Sequence, residues 1–406
     1  MIDVLVAGGG PVGLATAIRC ALAGLTVEVA EPRAAPVDKA CGEGVMPAAV
    51  RRLAALGVTP DGYPLRGIRY LDGRHQADAP FRSGAGLGVR RTVLHAALAE
   101  RAAALGIPVR PARVTAVEQH SGHVAAAGLE ARYLVAADGL HSAIRRALEG
   151  AAVTPAPRSR SAPGTGGGAA DGQGPGVRGS VHGAAAAPRY GLRRHYRVAP
   201  WTDMVEVHWA DQSEAYVTPV AADVVGIGLL FARPDRGAAR TPGGGAGGGL
   251  PADEGPGADL GGAIPADGAG AGFAARLSAF PALLDRLGGA APASAVRGAG
   301  PLRQDVRRRV HGRVLLVGDA SGYLDALTGE GIGVGLAQAE ALAACLAAGR
   351  PADYEPAWRR ASRPAWRLTA GLLWSRSQPL LAPRIVPAAQ RLPWLFSALV
   401  NRAGEA

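Results

Sequence analysis

Apolar and polar residues follow two different patterns along this chain. Near both ends, short continuous apolar runs alternate with segments of helical composition, which is typical of parallel strands covered by helices. In the middle, short β-rich segments are separated by turn residues, which indicates an antiparallel sheet. The pattern therefore predicts an α/β fold with two distinct layers and a C-terminal helical tail.

The first pattern begins with a strand, a glycine turn, a helix and a second strand, and similar elements follow later. The predicted elements are strand Ile2–Ala7, helix Pro11–Ala23, strand Thr26–Ala30, a helix near Arg91–Ala104, a strand ending in Tyr133–Ala137, strand Val314–Val317 and helix Gly331–Ala348. The antiparallel layer is predicted to comprise strands Tyr190–Val198, Met204–Trp209, Glu214–Pro219 and Val224–Phe231, followed by an amphipathic helix over Phe273–Leu287.

Two stretches, Pro163–Gly179 and Gly237–Gly272, consist mainly of Gly, Ala, Pro and Asp. They have too little apolar surface to offset the entropy of ordering, so we expect flexible insertions without chemistry. The domain of the first pattern is predicted to comprise 1–75, 89–160 and 298–350. The domain of the antiparallel layer is predicted to comprise 76–88 and 181–297, the insertions are 161–180 and 237–272, and the tail is 351–406.

The net charge of +11 raises the question of nucleic-acid binding. The arginines are spread along the chain and no basic run is interleaved with aromatic residues, so we expect no nucleic-acid partner. Three cysteines, Cys20, Cys41 and Cys345, are too few and too scattered for a disulfide framework or a zinc cluster. We therefore expect no metal site.

A GxGxxG motif, Gly8 to Gly13, lies between the first predicted strand and helix. This spacing provides a tight turn, close approach of a pyrophosphate, and packing of the helix on the strand. The helix N-terminus then faces the phosphates, and an acidic residue at the end of the second strand can bond ribose hydroxyls. The candidate ligands are Gly8, Gly10, Pro11, Val12, Gly13, Glu31 and Arg33. From this motif alone, NAD and FAD both remain open.

Two later motifs also follow predicted strands. Asp138-Gly139 comes before a helix that starts near Ser142. Gly318-Asp319 follows strand Val314–Val317, and Asp319 can bond a ribityl hydroxyl. The loop Gly329-Glu330-Gly331-Ile332 opens the last predicted helix, whose N-terminus can stabilise the anionic edge of a reduced flavin.

Together the three motifs resemble those of the glutathione-reductase-type FAD proteins. More narrowly, they resemble the single-component flavoprotein monooxygenases and the geranylgeranyl-reductase-like enzymes. The resemblance spans nearly the whole chain apart from the insertions and the tail. It implies a Rossmann-type FAD-binding domain beside an antiparallel β-sheet substrate domain. It also implies that Arg91, or Arg90 in its place, contacts the pyrophosphate, and that Asp138 belongs to a motif handling FAD and NADPH.

Two loops are similar to the geranylgeranyl-reductase group in particular. The segment from Asp38 to Gly44 resembles that group's Lys-x-Cys-Gly loop, which implies a position beside the flavin ring for Cys41 and Gly42. Lys39, the only lysine, either anchors an anionic group there or is solvated. The loop ending in Ile332 reads Leu-Thr-Gly-Glu-Gly-Ile, as in that group. Phenol hydroxylases carry His and Pro where this chain has Gly322 and Ala326.

The resemblance implies that the antiparallel sheet walls the substrate pocket. Thr218 stands where the reductase group has a tryptophan, and the Trp-x-Trp-x-Ile-Pro signature of flavin halogenases is absent from the sequence, which argues against halogenation. The candidate catalytic residues are His195, Tyr216 and Cys41. A base with a pKa near the working pH would raise the nucleophilicity of a phenol. A structural role is the alternative for each.

We therefore predict an FAD-dependent monooxygenase that hydroxylates or epoxidises a hydrophobic aromatic or polyketide-like small molecule. It would use O2, with NAD(P)H as a transient reductant, since no second nucleotide-binding domain is visible in the sequence. Two alternatives stay open. One is a reductase of isoprenoid double bonds, and the other is a non-enzymatic FAD-binding protein that docks through its tail.

The tail over Ala357–Val400 is apolar, basic and interrupted by proline, and four of its residues are tryptophans. This composition predicts either helices packed on the FAD domain or an interfacial segment in peripheral contact with a membrane. No stretch is long and apolar enough to cross a bilayer, and the first strand leaves no room for a signal peptide. We therefore expect a cytoplasmic protein.

Overall fold

A computed structural model describes residues 1–151, 187–211, 213–232 and 266–404. The insertion predicted at 161–180 lies outside these residues, as does 237–265 of the second insertion. Residues 266–272, which we expected to belong to that insertion, begin a helix instead. Burial of Phe273 and Leu277 against the second sheet offsets the poor helix propensity of the glycines in this helix.

The elements of the described residues are numbered in chain order. The strands are β1 Ile2–Ala7, β2 Val27–Ala30, β3 Gly44–Val45, β4 Tyr63–Leu65, β5 Gly67–Leu71, β6 Gln76–Pro80, β7 Gly86–Gly88, β8 Val109–Arg110, β9 Glu118–Gln119, β10 Val124–Ala126, β11 Leu129–Ala136, β12 Arg189–Arg197, β13 Met204–Trp209, β14 Ser213–Ala221, β15 Val224–Ala232, β16 Arg297–Ala299, β17 Val310–His311 and β18 Val314–Leu316. The α-helices are α1 Pro11–Leu22, α2 Pro47–Ala54, α3 Arg91–Ala104, α4 Ala143–Ala151, α5 Ala266–Leu277, α6 Pro281–Leu287, α7 Gly331–Ala347, α8 Tyr354–Ser377, α9 Ile385–Arg391 and α10 Pro393–Gly404. Short 3₁₀ turns cover Gly318–Ser321, Pro351–Asp353 and Ala382–Arg384.

The first sheet has the order β17-β18-β11-β1-β2-β8. In addition, β10 pairs with β11, and β9 pairs with β10. Strand β1 pairs in parallel with β11 and β2, and β11 pairs in parallel with β18. In this register Ala7 is opposite Ala136, which is opposite Leu316. The core of this layer includes residues of α1, α3 and α7. The three central strands therefore end at one edge.

The second sheet has the order β16-β12-β15-β14-β13-β5-β6. Its neighbours are antiparallel except for β13 and β5, which are parallel. Helices α5 and α6 pack against Val217 and Ile227, whereas Val205 and Val207 belong to a separate core with residues of α9 and α10. Strands β3, β7 and β4 form a small third sheet in that order. The predicted fold class is confirmed.

Two element predictions need correction. Strand β5 lies within 1–75, which we predict as part of the FAD-binding domain, yet it belongs to the second sheet. It does so because it forms a hairpin with β6 and pairs with β13. The helix predicted over Phe273–Leu287 is two helices, α5 and α6. Pro281 lacks the N–H that would continue a helix, so it begins the second one.

The tail is helical and joins both layers. At its start, α8 buries Tyr354 and Trp358 in the core of the first layer. Further along, Leu372 and Leu373 pack into the core that faces the second sheet, together with Phe396 and Val400 of α10. Within the described residues, no helix has the length and apolarity needed to cross a membrane.

A buried ion cluster ties α8 to the second sheet and to the loop before α7. The Glu214 carboxylate accepts from Arg189, whose Nε also donates to Asp325 at 2.9 Å, and it forms an ion pair with Arg376 of α8. Glu214 is fully buried. Buried charges of this kind are tolerated only when they are paired, so the cluster fixes the relative position of three elements.

We predict that Glu214→Ala destabilises the protein strongly, because two buried guanidinium groups lose their shared partner. The expected loss is about 3–5 kcal/mol of unfolding free energy, measured by urea denaturation. Asp223→Ala is the control, since Asp223 pairs with Arg197 at the surface and both side chains are more than half exposed. Its expected effect is below about 1 kcal/mol. Equal effects of the two substitutions would contradict the prediction.

Candidate flavin and substrate site

One cavity opens at the edge where β1, β11 and β18 end, and it brings most of the predicted ligands together. The predicted site residues that line it are Gly10, Pro11, Val12, Gly13, Arg33, Cys41, Gly42, Arg91, Asp138, Gly139, Tyr216, Gly318, Asp319, Gly329, Glu330, Gly331 and Ile332. Three predicted residues, Gly8, Glu31 and His195, do not line it. Residues far apart in the sequence thus form one continuous wall.

The glycine turn leaves no space for side chains at two positions and open space at a third. Gly8 has φ +108°, and a Cβ at Gly13 would lie 1.9 Å from the Gly8 carbonyl oxygen. A Cβ at Gly10 would instead point towards the Arg91 guanidinium, 3.8 Å away, with no nearer atom. The turn therefore packs tightly on its protein side and exposes backbone on its cavity side, as binding of a pyrophosphate requires.

Glu31 fixes this turn from behind. Its carboxylate accepts from the Gly9 amide at 2.8 Å and from Arg33 at 2.8 Å. Burial raises the pKa of Glu31, but the hydrogen bonds from Arg33 and Gly9 outweigh that effect and hold it below its usual value. His95, which the sequence analysis missed, adds a contact of 3.0 Å between its Nε2 and the Gly9 carbonyl oxygen. A bond from Glu31 to a ribose stays a prediction.

Among the cavity-lining residues, Arg91 and Asp138 each have a buried polar atom without a hydrogen-bond partner in the described part of the chain, Arg91 Nε and Asp138 Oδ1. The other carboxylate oxygen of Asp138 accepts from the Ala143 amide at 2.9 Å at the start of α4, so that side chain is held in place. Buried polar groups without partners are costly, and a bound ligand is a common reason for them. A cation and a carboxylate beside the glycine turn fit the pyrophosphate and hydroxyl groups of FAD.

The third motif completes the cofactor wall. The Gly318 amide donates to Gln338 of α7 at 2.8 Å, which joins the end of β18 to that helix. Gly329 has φ +69°, so the loop turns sharply before α7 begins at Gly331. The N-terminus of this 17-residue helix faces the cavity with its positive dipole end. These residues would hold the flavin ring edge that becomes anionic on reduction.

Glu43 joins the loop around Cys41 to both layers, and the sequence analysis did not foresee it. Its backbone has φ +61°, which is uncommon for a residue with a side chain. One carboxylate oxygen accepts from the Arg91 amide at 2.9 Å, and the other contacts His195 Nε2 at 2.6 Å. The loop is held further because Thr218 donates to the Gly42 carbonyl oxygen at 2.9 Å. Glu43 thereby orients α3, the loop and the second sheet together.

The expectation that His195 acts directly on a substrate is corrected by its position. Its side chain is 1 % exposed and lies behind Glu43, where its Nδ1 contacts Ser294 at 2.8 Å and Arg193 at 3.2 Å. His195 lies on the same face of β12 as Arg193, two residues further along the strand, and of the two it is Arg193 that lines the cavity. Arg193 in turn pairs with Asp38 of the Cys41 loop. The geometry gives His195 a positioning role.

Tyr216 and Cys41 do lie at the cavity. The Tyr216 hydroxyl donates to the Leu327 carbonyl oxygen at 2.7 Å, and burial raises the pKa of Tyr216 well above its ordinary value. Tyr216 therefore braces the loop before α7. The Cys41 thiol is partly exposed and accepts from the Glu43 amide at 3.4 Å. Catalytic roles for both remain predictions.

Beyond the residues predicted to bind the cofactor, the cavity wall is largely apolar and comes mainly from the second sheet and the tail. It includes Ile68, Tyr70, Val205, Val207, Leu229, Leu230, Leu302, Leu368 and Val400. Glu330 interrupts this wall at the N-cap of α7. Its side chain is 8 % exposed, and its Oε2 has no hydrogen-bond partner among the described residues. Burial raises the pKa of Glu330 to about 7.

Comparisons with known proteins agree with this geometry. Residues 1–159 match the protein family described as FAD binding domain. A segment of 56 residues is 48% identical to menaquinone reductase from Mycolicibacterium smegmatis, and it covers 14% of this chain and 14% of that protein. The alignment thus spans only a small part of that relative.

Solved structures share the fold over nearly the whole chain. A flavoprotein/dehydrogenase from Cytophaga hutchinsonii has a TM-score of 0.71 at 16% identity, with 98% of this chain and 93% of that chain covered. The flavin-dependent brominase Bmp2 has a TM-score of 0.70 at 16% identity, with 100% and 94% covered. The flavin-dependent halogenase CmlS has a TM-score of 0.69 at 17% identity, with 99% and 72% covered. At such identities the likeness concerns the fold alone.

Fold and site together define a flavin-dependent oxidoreductase. Residues 1–159 match the FAD binding domain family, and FAD is the cofactor.

We predict that Gly13→Ala abolishes FAD binding, because the added Cβ would lie 1.9 Å from the Gly8 carbonyl oxygen, a backbone atom that cannot move aside without disrupting the turn. Flavin absorbance of the purified variant gives the FAD content. Gly122→Ala is the matched control, since no atom lies within 4 Å of its added Cβ. A Gly13→Ala variant with full FAD content would refute the packing argument.

Proposed function

We propose that this flavoenzyme is a monooxygenase that hydroxylates or epoxidises a hydrophobic aromatic small molecule. It would use O2 as the oxygen source and NAD(P)H as a transient reductant. The observation that carries the proposal is an apolar cavity wall beside the residues predicted to bind FAD, which holds the buried Glu330 carboxyl group, whose Oε2 has no hydrogen-bond partner among the described residues. When bound, FAD supplies the redox chemistry that links the reductant, oxygen and the organic substrate.

The apolar wall suits an aromatic substrate and limits water. Side chains such as Val205, Leu229 and Leu302 offer no hydrogen bonds to water, so an apolar ring replaces it at little cost. In such surroundings the remaining electrostatic interactions become stronger. The phenol ring of Tyr70 packs against Trp209 and Phe396, which makes this part of the wall rigid.

Glu330 takes the role of base in this proposal, in place of His195, which the sequence offers only as one candidate for it. Because burial raises its pKa to about 7, the carboxyl group exchanges protons near neutral pH. An ionised Glu330 would remove the proton from a phenol hydroxyl, and the ring would then attack electrophilic oxygen more readily. Burial and the nearby Glu330 carboxyl also raise the pKa of Tyr70, so Tyr70 stays protonated.

A second candidate is a reductase of double bonds in a hydrophobic isoprenoid or quinone-like molecule. The segment that is 48% identical to menaquinone reductase favours it. The loop from Lys39 to Gly42 and the loop ending in Ile332 favour it too, since both resemble the geranylgeranyl-reductase group. In that reaction the protonated Glu330 would donate the proton that accompanies hydride addition.

The fate of the substrate distinguishes the two candidates. We expect the holoenzyme with NAD(P)H to consume O2 when hydrophobic phenols are added, and mass spectrometry to find a product with one added oxygen atom. Anaerobic conversion of a prenylated quinone to a product with two added hydrogen atoms would replace this proposal with the second candidate. Bound FAD that NAD(P)H cannot reduce, with either class of ligand present, would contradict both.

We predict that Glu330→Gln lowers kcat/KM by about a hundredfold or more, because general-base assistance is lost. In the unmodified enzyme kcat/KM should fall as the pH drops below about 7, since the carboxylate becomes protonated. The variant should lack this fall. Glu340→Gln is the control on the same helix, where the side chain is half exposed. If the acidic limb of the pH profile persists in Glu330→Gln, another group is the base.

A further inference from the structure

The C-terminal helices carry an unusual concentration of exposed apolar side chains. Of the eleven large hydrophobic side chains exposed in the described residues, seven lie between 374 and 399. They are Trp374, Leu380, Leu381, Leu392, Trp394, Leu395 and Leu399, here called the tail surface. Trp374 is 60% exposed, Trp394 65% and Leu380 73%. Soluble proteins rarely leave such a set uncovered unless it binds something.

Helix α10 carries large apolar side chains on both of its faces, although Ser397 and Asn401 are also buried. Its inner face buries Phe396 and Val400 in the core, whereas Leu395 and Leu399, four residues apart, recur on the outer face. A helix that is apolar all round normally lies between two apolar layers. The enzyme's own core covers the inner face of α10, so we expect another apolar surface to cover the outer face.

The charge around the tail surface indicates what that second layer is. Residues 356–404 contain eight arginines and neither aspartate nor glutamate. Arg376 is engaged by Glu214, but Arg384, Arg391 and Arg402 are exposed beside the apolar side chains. Tryptophan and leucine flanked by arginine match the boundary between acyl chains and anionic headgroups of a bilayer.

The same helices wall the substrate cavity. Leu368 of α8 and Val400 of α10 line it, and Val400 directly follows the exposed Leu399. At α10 the cavity and the tail surface therefore lie on opposite sides of one helix. An apolar substrate dissolved in a bilayer would lie close to the cavity if the tail surface touched that bilayer.

We propose that the tail surface docks on an anionic lipid bilayer and that the enzyme takes its hydrophobic substrate from that bilayer. Trp374, Trp394 and the exposed leucines enter the headgroup–acyl boundary, and Arg384, Arg391 and Arg402 contact lipid phosphates. The source of the substrate rests on the proposed function. The docking rests only on the tail surface and its charge.

Vesicle binding of the holoenzyme tests the docking without any turnover. The probes are vesicles of phosphatidylcholine alone and of phosphatidylcholine with phosphatidylglycerol, and the readouts are co-sedimentation and a blue shift of tryptophan emission. We expect binding to the anionic vesicles that weakens with added salt. Absence of binding, or equal binding to neutral vesicles, would overturn the assignment to an anionic bilayer.

Two variants distinguish apolar from charged contributions. Combined Trp394→Ser, Leu395→Ser and Leu399→Ser should reduce partitioning by about a hundredfold or more, because three apolar side chains leave the boundary. Combined Arg384→Glu and Arg391→Glu should reduce it by about tenfold or more. The control combines Leu22→Ser, Val109→Ser and Leu284→Ser, which are exposed elsewhere and should leave binding unchanged.

Flavin absorbance and sedimentation velocity complete the test. Each variant should retain its FAD, which shows that it is folded. A dimer that forms without vesicles and is lost in the triple serine variant would mean that a second copy covers the tail surface, and the lipid proposal would fall. Because substrate and NAD(P)H are absent throughout, failure of the proposed reaction would not alter this result.

Discussion

The structure depends first on the parallel pairing of β1, β11 and β18. This pairing makes three segments that are far apart in the sequence end at one edge, and each continues into a turn containing glycine. Gly8 and Gly13 then close the first turn so tightly that the backbone faces the cavity. The positions of the residues predicted to bind FAD are thus set by strand register, and a shift of one residue in any pair would move these residues out of reach of each other.

Glu43 links the first sheet and its helices to the second sheet, a connection that strand pairing does not make. It contacts the first residue of α3 and a histidine of β12 while its own backbone stays in the left-handed region. Such a conformation is tolerated because the contacts around it compensate for its cost. The Cys41 loop is therefore shaped from both sides.

The features that could be predicted from the sequence are those that depend on residues close together in the chain. The glycine turn, the Asp-Gly motif and the loop before α7 were identifiable because each lies next to its own strand or helix. Contacts between distant segments were not foreseen. Nothing near Glu43 in the sequence indicates His195 or Arg193, and alternation along β12 does not say which face meets the cavity. For the same reason, the pairing of β5 with β13 gave no local signal.

The anchoring of α8 connects the buried ion cluster with the exposure of Trp374 on the tail surface. Arg376, two residues after the exposed Trp374, is held by Glu214, and at the other end of α8 Arg309 stacks on Trp358 at 3.6 Å. A helix anchored at both ends cannot roll to bury its outer face. The exposure of Trp374 is thus imposed by the core and does not reflect a loose terminus. Since Leu368 of this helix lines the cavity, the contacts that shape the substrate site also hold the apolar surface outward.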